Sequence, residues 1–243
     1  MFLRNATGIL PFHNHPPEIA GHCNSFDKDV NRQEAGMIFE EIVVGPLSVN
    51  CFVVGCENSR EGVVVDPGGD VDSVIQAVQK HRLKIGTVIN THGHFDHVGG
   101  NRATVESFGG RLLIHQADVA LVGMAADVAR TYGLQGESSP PPDDFLNDGD
   151  EITFGGHTLK VIHTPGHTRG GCCLYFESEK KIITGDTLFA DSIGRTDLPG
   201  GSHEQLLESI RTKLFTLPDD VAVYPGHGEA TSIGHEKRHN PYF

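Results

Sequence analysis

The feature of this sequence that most constrains its fold is a short run crowded with potential metal ligands. Residues 90–100 read Asn-Thr-His-Gly-His-Phe-Asp-His-Val-Gly-Gly, which places three histidines and an aspartate within six residues. A hydrophobic core has no use for such side chains, and a solvated surface does not need them at this density. Neutral imidazole and carboxylate are ligands that Zn²⁺ and Fe²⁺ accept, and glycines let the backbone come close. The run therefore predicts a metal site.

The run follows a strand predicted at residues 85–90, and the other candidate ligands also follow predicted strands. These strands are predicted at 158–163, 181–184 and 221–224. Because strand ends can meet at one edge of a sheet, side chains that are far apart in sequence can converge there. The candidate metal ligands are His92, His94, Asp96, His97, His167, Asp186 and His227.

From residue 37 onward, short runs rich in β-branched residues alternate with segments of helical periodicity. Further strands are predicted at 38–44, 51–54, 62–66, 111–115, 151–154 and 172–176. Helices are predicted at 71–82, 97–108, 117–129 and 204–214, with a loop or lid at 136–144. The strands form two groups with helices interspersed, which predicts an α/β protein with two sheets covered outside by helices.

The length of 243 residues is within the reach of one large domain. Residues 1–36 contain several prolines and a polar run without sustained periodicity, which predicts a disordered or extended N-terminal tail. Residues 37–243 then form the domain that carries the candidate ligands. Met37 directly precedes the first predicted strand, so it is a candidate natural start, and the mass of protein made from the native locus would test this.

Charge and hydropathy argue against two classes of partner. Lys plus Arg number 19 and Asp plus Glu number 32, and the formal charge of −13 repels phosphate backbones, so nucleic acid is not expected. No run of about 18 apolar residues is present, so no membrane span is predicted. The first ten residues match a secretory signal poorly, and the predicted location is cytoplasmic.

The cysteine pattern differs from that of a disulfide-rich secreted protein. Cys172 and Cys173 are adjacent and Cys23 is isolated, so reduced thiols are predicted. Because successive strand residues point to opposite faces of a sheet, one of the adjacent pair should face the core and the other the opposite side.

Four motifs, taken in order, resemble the motif set of the metallo-β-lactamase superfamily. They are Thr-His-Gly-His-Phe-Asp-His at 91–97, Thr-Pro-Gly-His-Thr at 164–168, Thr-Gly-Asp-Thr at 184–187 and Pro-Gly-His-Gly at 225–228. Gly-Asp-Thr-Leu-Phe at 185–189, followed by Ile-Gly-Arg-Thr-Asp at 193–197, resembles the glyoxalase II branch, the hydroxyacylglutathione hydrolases. The resemblance covers residues 38–243 and implies the four-layer αββα sandwich of that superfamily.

The resemblance also implies a role for each candidate ligand, with two metal ions and one bridging carboxylate. The resemblance implies that His92, His94 and His167 hold one ion and that Asp96, His97 and His227 hold the other. It implies that Asp186 bridges the two ions. Open coordination positions would suit catalysis by a hydroxide shared between the ions, and Asp96 would also act as a catalytic residue that moves a proton. Two divalent ions are expected, with zinc first, while iron and manganese suit the same ligands.

The implied activity is hydrolysis of a small-molecule thioester, such as S-lactoylglutathione or a related hydroxyacyl-thiol conjugate. A thiolate leaving group, whose conjugate acid has a pKa of about 8.5, departs without a dedicated general acid. Arg195 aligns with a basic residue that meets the carboxylate of the thiol carrier in the family. The sequence ends sixteen residues after His227, without the helical C-terminal domain of longer relatives, and has Gly228-Glu229 in place of their glutathione-contacting tyrosine. The chain thus resembles the short form of glyoxalase II.

Two other functions are considered. An iron-dependent persulfide dioxygenase has the same fold but uses a single iron held by two histidines and an aspartate, so metal count and oxygen uptake discriminate it. A metal-binding or oligomerising module without turnover is the non-enzymatic alternative, which the intact ligand set disfavours. A β-lactamase is disfavoured because the motif around Arg195 resembles the glyoxalase branch. The metal, the exact acyl-thiol and the oligomeric state are left open.

Several other polar residues have two interpretations. Asp66 follows a predicted strand and either supports the histidine-rich run by hydrogen bonds or caps a helix. Arg195 and Asp197 either meet substrate or form a surface ion pair worth about 0 to 1 kcal/mol. His235 and His239 have a spacing that can bind zinc, but a charged, exposed terminal helix is favoured.

Overall fold

The computed structural model describes residues 36–243. The tail predicted for residues 1–36 lies outside this range, apart from Gly36. Within residues 36–243, no helix is both long and apolar enough to cross a membrane.

Two six-stranded sheets form the centre of the fold, and each is built from a contiguous half of the described chain. The first contains, in spatial order, β1 (Met37–Val44), β2 (Val49–Cys56), β3 (Glu61–Val65), β4 (Lys84–Ile89), β5 (Arg111–His115) and β6 (Asp144–Leu146). The second contains, in spatial order, β7 (Glu151–Phe154), β8 (His157–His163), β9 (Cys172–Phe176), β10 (Lys181–Gly185), β13 (Ala222–Pro225) and β14 (Thr231–Ser232). A separate two-stranded ribbon consists of β11 (Leu188–Phe189) and β12 (Ser192–Ile193).

Strand direction brings the ends of the ligand-bearing strands together. In the first sheet, β3, β4 and β5 pair in parallel, and in the second sheet β10 pairs in parallel with β13. β8 runs in the same direction as β10, because both are antiparallel to β9 between them. The carboxyl ends of these strands therefore lie at one edge of each sheet, where the loops carry the candidate ligands.

An apolar core fills the space between the sheets. Phe52 and Ile89 of the first sheet and Leu174 and Phe176 of the second are fully buried there. Removing this surface from water is the main term that stabilises the sandwich. Cys172 faces this core and its neighbour faces the outer layer of the second sheet, as the alternation of strand side chains predicts.

Helices cover both outer faces. They are α1 (Val71–Lys80), α2 (Phe95–Val98), α3 (Asn101–Phe108), α4 (Val119–Thr131), α5 (His203–Ser209) and α6 (Ile233–His239). Apolar residues of α1 and α3 pack on the first sheet, and those of α5, α6 and a π-helical turn at Ile210–Leu214 pack on the second. α4 packs against α2 and β5. The predicted αββα sandwich is confirmed.

The helix predicted at 97–108 is instead two helices, α2 and α3, separated at Gly99-Gly100. The reason is a close contact with the preceding loop. A Cβ at Gly100 would lie 2.4 Å from Pro67 O, and the Gly100 N–H donates to this carbonyl over 2.7 Å. Gly99 still has helical backbone angles, and the chain leaves the helical path at Gly100, whose φ is −98° and ψ 3°.

Two other predicted elements also differ from the structure. The helix predicted at 204–214 is α-helical only to Ser209 and continues as the π-helical turn. The loop predicted at 136–144 ends in β6, a strand that pairs in parallel with β5. Three residues are too few to show a period in the sequence, so β6 was not predicted.

Candidate metal centre

The seven candidate ligands converge where the two sheets present their carboxyl edges. They form three overlapping groups, in each of which the donor atoms lie within 4.8 Å of one another. The groups are His92, His94 and His167; His92, His97 and Asp186; and Asp96, His97 and His227. The first sheet supplies the donors that follow β4, and the second supplies those that follow β8, β10 and β13. The centre therefore lies across the gap between the sheets.

Three imidazole nitrogens form the first set of donors. His94 Nδ1 lies 3.1 Å from His92 Nε2 and 2.9 Å from His167 Nε2. Two nitrogens that bind one tetrahedral zinc ion at about 2.0–2.1 Å lie about 3.3 Å from each other. The observed spacing is thus close to that of three ligands of a single ion.

The second set is joined to the first through Asp186. His227 Nε2 lies 3.4 Å from both His97 Nε2 and Asp96 Oδ2. Asp186 Oδ1 is 3.4 Å from His97 Nε2, while its Oδ2 is 3.5 Å from His167 Nε2. Asp186 Oδ1 is buried and forms no hydrogen bond with any of residues 36–243. A buried acceptor without a donor is unfavourable, whereas a carboxylate between two cations has its charge compensated on both sides.

The backbone at Gly226 leaves space for these donors. A Cβ at this position would lie 2.3 Å from Asp186 Oδ1 and 2.8 Å from His97 Cε1. The Gly226 N–H donates to Gly185 O over 2.8 Å, which holds the ends of β13 and β10 together. The spacing of the donors, the unpaired oxygen of Asp186 and this cradle all fit divalent metal ions.

Hydrogen bonds from the far side of two rings fix their orientation. His167 Nδ1 donates to the carbonyl of Arg195 over 2.7 Å, and His227 Nδ1 donates to the carbonyl of Leu47 over 3.0 Å. These contacts occupy Nδ1 and leave Nε2 directed at the centre. The arrangement is typical of histidines that bind metals.

Asp66, directly after β3, supports the histidine-rich loop. Its Oδ1 accepts from Thr91 N over 2.8 Å, and its Oδ2 accepts from Thr91 Oγ1 over 2.6 Å. His97 Nδ1 lies 3.0 Å from Asp66 Oδ2, and Thr91 Oγ1 in turn lies 3.1 Å from His92 Nδ1. Asp66 therefore orients His97 directly and His92 through Thr91, which agrees with the supporting role that the sequence predicted.

A second buried aspartate, Asp118, was not identified from the sequence. It ends a 3-10 turn that precedes α4, and it accepts hydrogen bonds from Gly93 N, Thr168 Oγ1 and Gly170 N. An acidic residue in the first turn of a predicted helix is ordinary, so its position gave no signal. The one available signal was its position shortly after the strand predicted at 111–115, because the candidate ligands also follow predicted strands.

Burial and neighbouring charges shift the ionisation of the centre. Burial, followed by the adjacent imidazoles, lowers the pKa of His92 well below its usual value and that of His94 to about 4. Burial opposes the charged forms of Asp186 and His97, but the opposite charges around each group together outweigh it, so the pKa of the carboxyl falls and that of the imidazole rises well above its usual value. Neutral rings beside ionised carboxylates are the forms that bind cations, and an arriving metal displaces any remaining proton.

Asp96 and His227 occupy the more accessible side of the centre, with 15% and 28% of their side chains exposed. Burial opposes the charge on each residue, yet their contact lowers the pKa of Asp96 and raises the pKa of His227. This contact favours the ionised form of Asp96 and the protonated form of His227 at the side that solvent can reach.

Arg195 lies next to the centre through its backbone, while its side chain points into an ion pair. Its Nε and Nη2 donate to the two oxygens of Asp197 over 2.8 and 2.7 Å, and both side chains are more than half exposed. Such an exposed pair contributes little to stability, because water screens both charges. The guanidinium has five N–H donors, so the pair with Asp197 leaves three of them free of this contact.

The other histidine cluster from the sequence lies on the terminal helix. His235 Nε2 is 2.8 Å from Asp191 Oδ1, and both side chains are exposed. The neighbouring Glu236 is fully buried and accepts from Thr231 Oγ1 and Asn240 Nδ2. These contacts join the helix to the turn between β11 and β12. Taken as whole residues, only Arg238 and His239 of the helix are exposed, because its other face is buried, so the exposed helix that the sequence favoured is found in part.

The layered fold and the converging donors define a class of metal-binding hydrolases. A sequence profile of the metallo-beta-lactamase superfamily matches residues 44–227. The chain belongs to this superfamily, whose fold binds divalent metal ions.

Named relatives and solved structures are similar over most of their length. Hydroxyacylglutathione hydrolase GloC of Haemophilus influenzae is 37% identical, over 85% of this chain and 98% of the relative. The BLEG-1 B3 metallo-beta-lactamase is 36% identical with a TM-score of 0.79, over 84% of this chain and 99% of that one. TTHA1623, solved in a di-iron-bound form, is 34% identical with a TM-score of 0.77, over 84% of this chain and 100% of that one. ETHE1 from Myxococcus xanthus is 32% identical with a TM-score of 0.69, over 84% of this chain and 83% of that one.

Proposed function

We propose that this protein is a metal-dependent hydrolase of thioesters, with S-lactoylglutathione or a related hydroxyacyl-thiol conjugate as its substrate. The observation that carries the proposal is the convergence of two donor sets on either side of Asp186. Five imidazoles and two carboxylates suffice for two ions with coordination positions to spare. The identity with GloC of Haemophilus influenzae supports the choice of a thioester.

The proposed ligands follow the two sets. They are His92, His94 and His167 for one ion; Asp96, His97 and His227 for the other; and Asp186 as the bridge. Divalent ions held there supply Lewis acidity, which polarises a carbonyl and lowers the pKa of water from 15.7 to about 7. Zinc is the expected metal, and iron or manganese suits the same nitrogen and oxygen donors.

The side chains of the centre suit a leaving group that needs no proton. All five imidazoles among the seven converging residues are proposed metal ligands, so none of them serves as a dedicated proton donor to a leaving group. A thiolate departs unaided, because its conjugate acid has a pKa of about 8.5. Asp96 is ionised and partly exposed, so its carboxylate oxygen other than the metal donor Oδ2 is the proposed site that would accept a proton of the attacking water.

The proposal gives Arg195 the part of a substrate anchor. Its N–H donors outside the pair with Asp197 are free of that contact and lie on the exposed side of the guanidinium. A carboxylate of the thiol carrier is the complementary group. Because the backbone carbonyl of Arg195 holds His167, a carrier bound at this position lies close to the first donor set.

Elemental analysis of the purified protein, combined with an S-lactoylglutathione assay, tests the proposal. We expect two metal ions per chain and hydrolysis that a chelator abolishes. His97→Ala should lower hydrolysis by more than about 100-fold. His239→Ala at the exposed end of the terminal helix is the matched control and should leave it unchanged. Unchanged hydrolysis in His97→Ala would show that the activity comes from elsewhere.

A persulfide dioxygenase is the second candidate, because the centre also contains groups of two histidines and one aspartate. His92, His97 and Asp186 form one such group. This donor set is the one used by many non-haem iron oxygenases. One iron per chain together with oxygen uptake on glutathione persulfide would favour the dioxygenase over the hydrolase. A β-lactam belongs in the same substrate panel, because of the similarity to BLEG-1.

A further inference from the structure

Asp118 is a completely buried carboxylate whose hydrogen-bond partners all lie on two loops of the candidate metal centre. Its Oδ2 accepts from Gly93 N over 2.9 Å and from Thr168 Oγ1 over 2.7 Å. Its Oδ1 accepts from Gly170 N over 2.7 Å. Hydrogen bonds to a buried charged group are stronger than those between neutral groups, so these contacts are a strong restraint on both loops.

The loops that Asp118 joins carry the three histidines of the first donor set. Gly93 stands between His92 and His94, and Thr168 directly follows His167. His94 and His167 are 73 positions apart in the sequence, and they belong to loops of different sheets. Asp118 therefore connects the two sheets at the point where this donor set forms.

Glycine lets both loops approach Asp118 closely. A Cβ at Gly93 would lie 2.8 Å from the carbonyl oxygen of Asp118, and a Cβ at Gly170 would lie 2.7 Å from its Cγ. Neither distance is tolerated by a real side chain. Each loop thus meets Asp118 with bare backbone, which leaves little freedom for the distance between the loops.

We propose that Asp118 is a positioning residue that sets the affinity of the three-histidine set, His92, His94 and His167, for its metal ion. The inference rests on the proposed dinuclear centre. Asp66 has the corresponding position for His97, through a direct contact of 3.0 Å. Asp66 reaches the first set only indirectly, through Thr91 and His92. All side-chain contacts of Asp118, by contrast, lie on the two loops of the first set, so loss of Asp118 affects the two halves unequally.

Asp118→Asn is the sharpest variant, because it keeps the shape of the side chain. Each oxygen of Asp118 faces at least one backbone N–H, so the amide nitrogen of asparagine must face either Gly93 N or Gly170 N. One of these N–H groups loses its acceptor in either orientation of the amide. A supporting contact of this kind changes metal affinity by about 10- to 100-fold.

The experiment is a zinc titration of the full chain against a chelator of known affinity, with the imidazole ¹⁵N signals followed by NMR. In Asp118→Asn we expect one ion to bind as in the wild type and the other about 10- to 100-fold more weakly. The signals of His92, His94 and His167 should return to their metal-free positions first, while those of His97 and His227 keep their metal-bound positions.

Glu236→Gln is the matched control, since Glu236 is also fully buried and accepts from several partners. It should lower stability and leave both zinc affinities unchanged. If Asp118→Asn does not fold, Thr168→Val removes only the hydroxyl contact and should weaken the same ion by a smaller factor.

Two outcomes overturn the inference. One is wild-type affinity for both ions in Asp118→Asn or, where that variant does not fold, in Thr168→Val. The other is equal weakening of both ions, which indicates a general loss of structure. A wild-type protein that binds no ion would instead overturn the proposed function.

Discussion

Asp66 Oδ2 lies 3.0 Å from His97 Nδ1, and both side chains are entirely buried. The contact turns His97 Nε2 toward Asp186, 3.4 Å away. It exists because β3 and β4 are parallel neighbours, so the residue after β3 meets the loop after β4. The pairing of two strands thus determines the orientation of a donor in the centre.

Asp66→Asn should weaken the ion in the Asp96, His97 and His227 set by about 10- to 100-fold. The φ of Asp66 is +49°, a conformation that asparagine adopts more readily than most residues, so the variant adds little backbone strain. Competition with a chelator measures the affinity. A metal affinity equal to that of the wild type would show that the contact between Asp66 and His97 is not needed to hold the ion.

Removal of metal should lower thermal stability. An ion present at about 100 times its Kd stabilises the folded state by about 2.7 kcal/mol, and each kcal/mol shifts Tm by about 2–4 °C in a chain of this size. We therefore expect a chelator to lower Tm by about 5–10 °C, measured by differential scanning calorimetry. The same chelator should produce a smaller shift in His97→Ala. Equal shifts would mean that the ion binds elsewhere.

Arg195→Ala should raise KM about tenfold for a thioester whose carrier bears a carboxylate, with little change in kcat, because a lost charged hydrogen bond is worth about 1.5–3 kcal/mol. A thioester of cysteamine, which has no carboxylate, is the control substrate and should be cleaved equally by both proteins. Asp197→Ala frees two further donors of Arg195 and should not raise KM. Equal losses on both substrates would argue for a structural role of Arg195.

Gly226→Ala should abolish binding of at least one ion, because the added methyl group would lie 2.3 Å from Asp186 Oδ1. Gly228→Ala is the control. Gly228 has a φ of +77° and open space around its Cα, so alanine there adds about 1–2 kcal/mol of backbone strain without touching the donors. Metal content of the two purified variants measures the difference, and a full complement in Gly226→Ala would be the contrary result.

Cys173 should make the protein less stable in alkali. Burial raises the pKa of this thiol to about 11 despite its hydrogen bond with Thr164. The unfolded thiol ionises near pH 9, so its contribution is fully present below pH 9 and is lost as pH rises toward 11. The loss amounts to about 2 kcal/mol by pH 11. The free energy of unfolding, measured with urea from pH 8 to 11, should decline less steeply in Cys173→Ser than in the wild type. Equal declines in the two proteins would contradict the role given to the Cys173 thiol.

The positions of the candidate ligands could be predicted because their signal is local. Each donor follows a strand that has an apolar pattern of its own, and parallel strands end at a common edge. The break at Gly99-Gly100 was missed because it depends on a contact with Pro67, more than 30 positions earlier. The Gly-Gly pair is itself a turn signal, but the sequence does not show the contact that makes the chain break there.

Asp118 was missed for a related reason. Two of its three partners are backbone N–H groups, which the residue types in a sequence do not reveal. They lie 25 and 52 positions away. No spacing rule relates an aspartate to such partners. The pair of Arg195 with Asp197 is a different case, since both of its interpretations were visible in the sequence and only the geometry of the two side chains supplies the distances.

The division of the sandwich into two contiguous halves has a consequence for how the protein is made. A ribosome completes residues 37–146, and with them the whole first sheet, before any strand of the second sheet emerges. At that stage the nascent chain offers only the donors from His92 to His97. The remaining donors arrive with later loops, and His227 comes last. Tight metal capture is therefore a late event, and bound metal reports that both halves have docked.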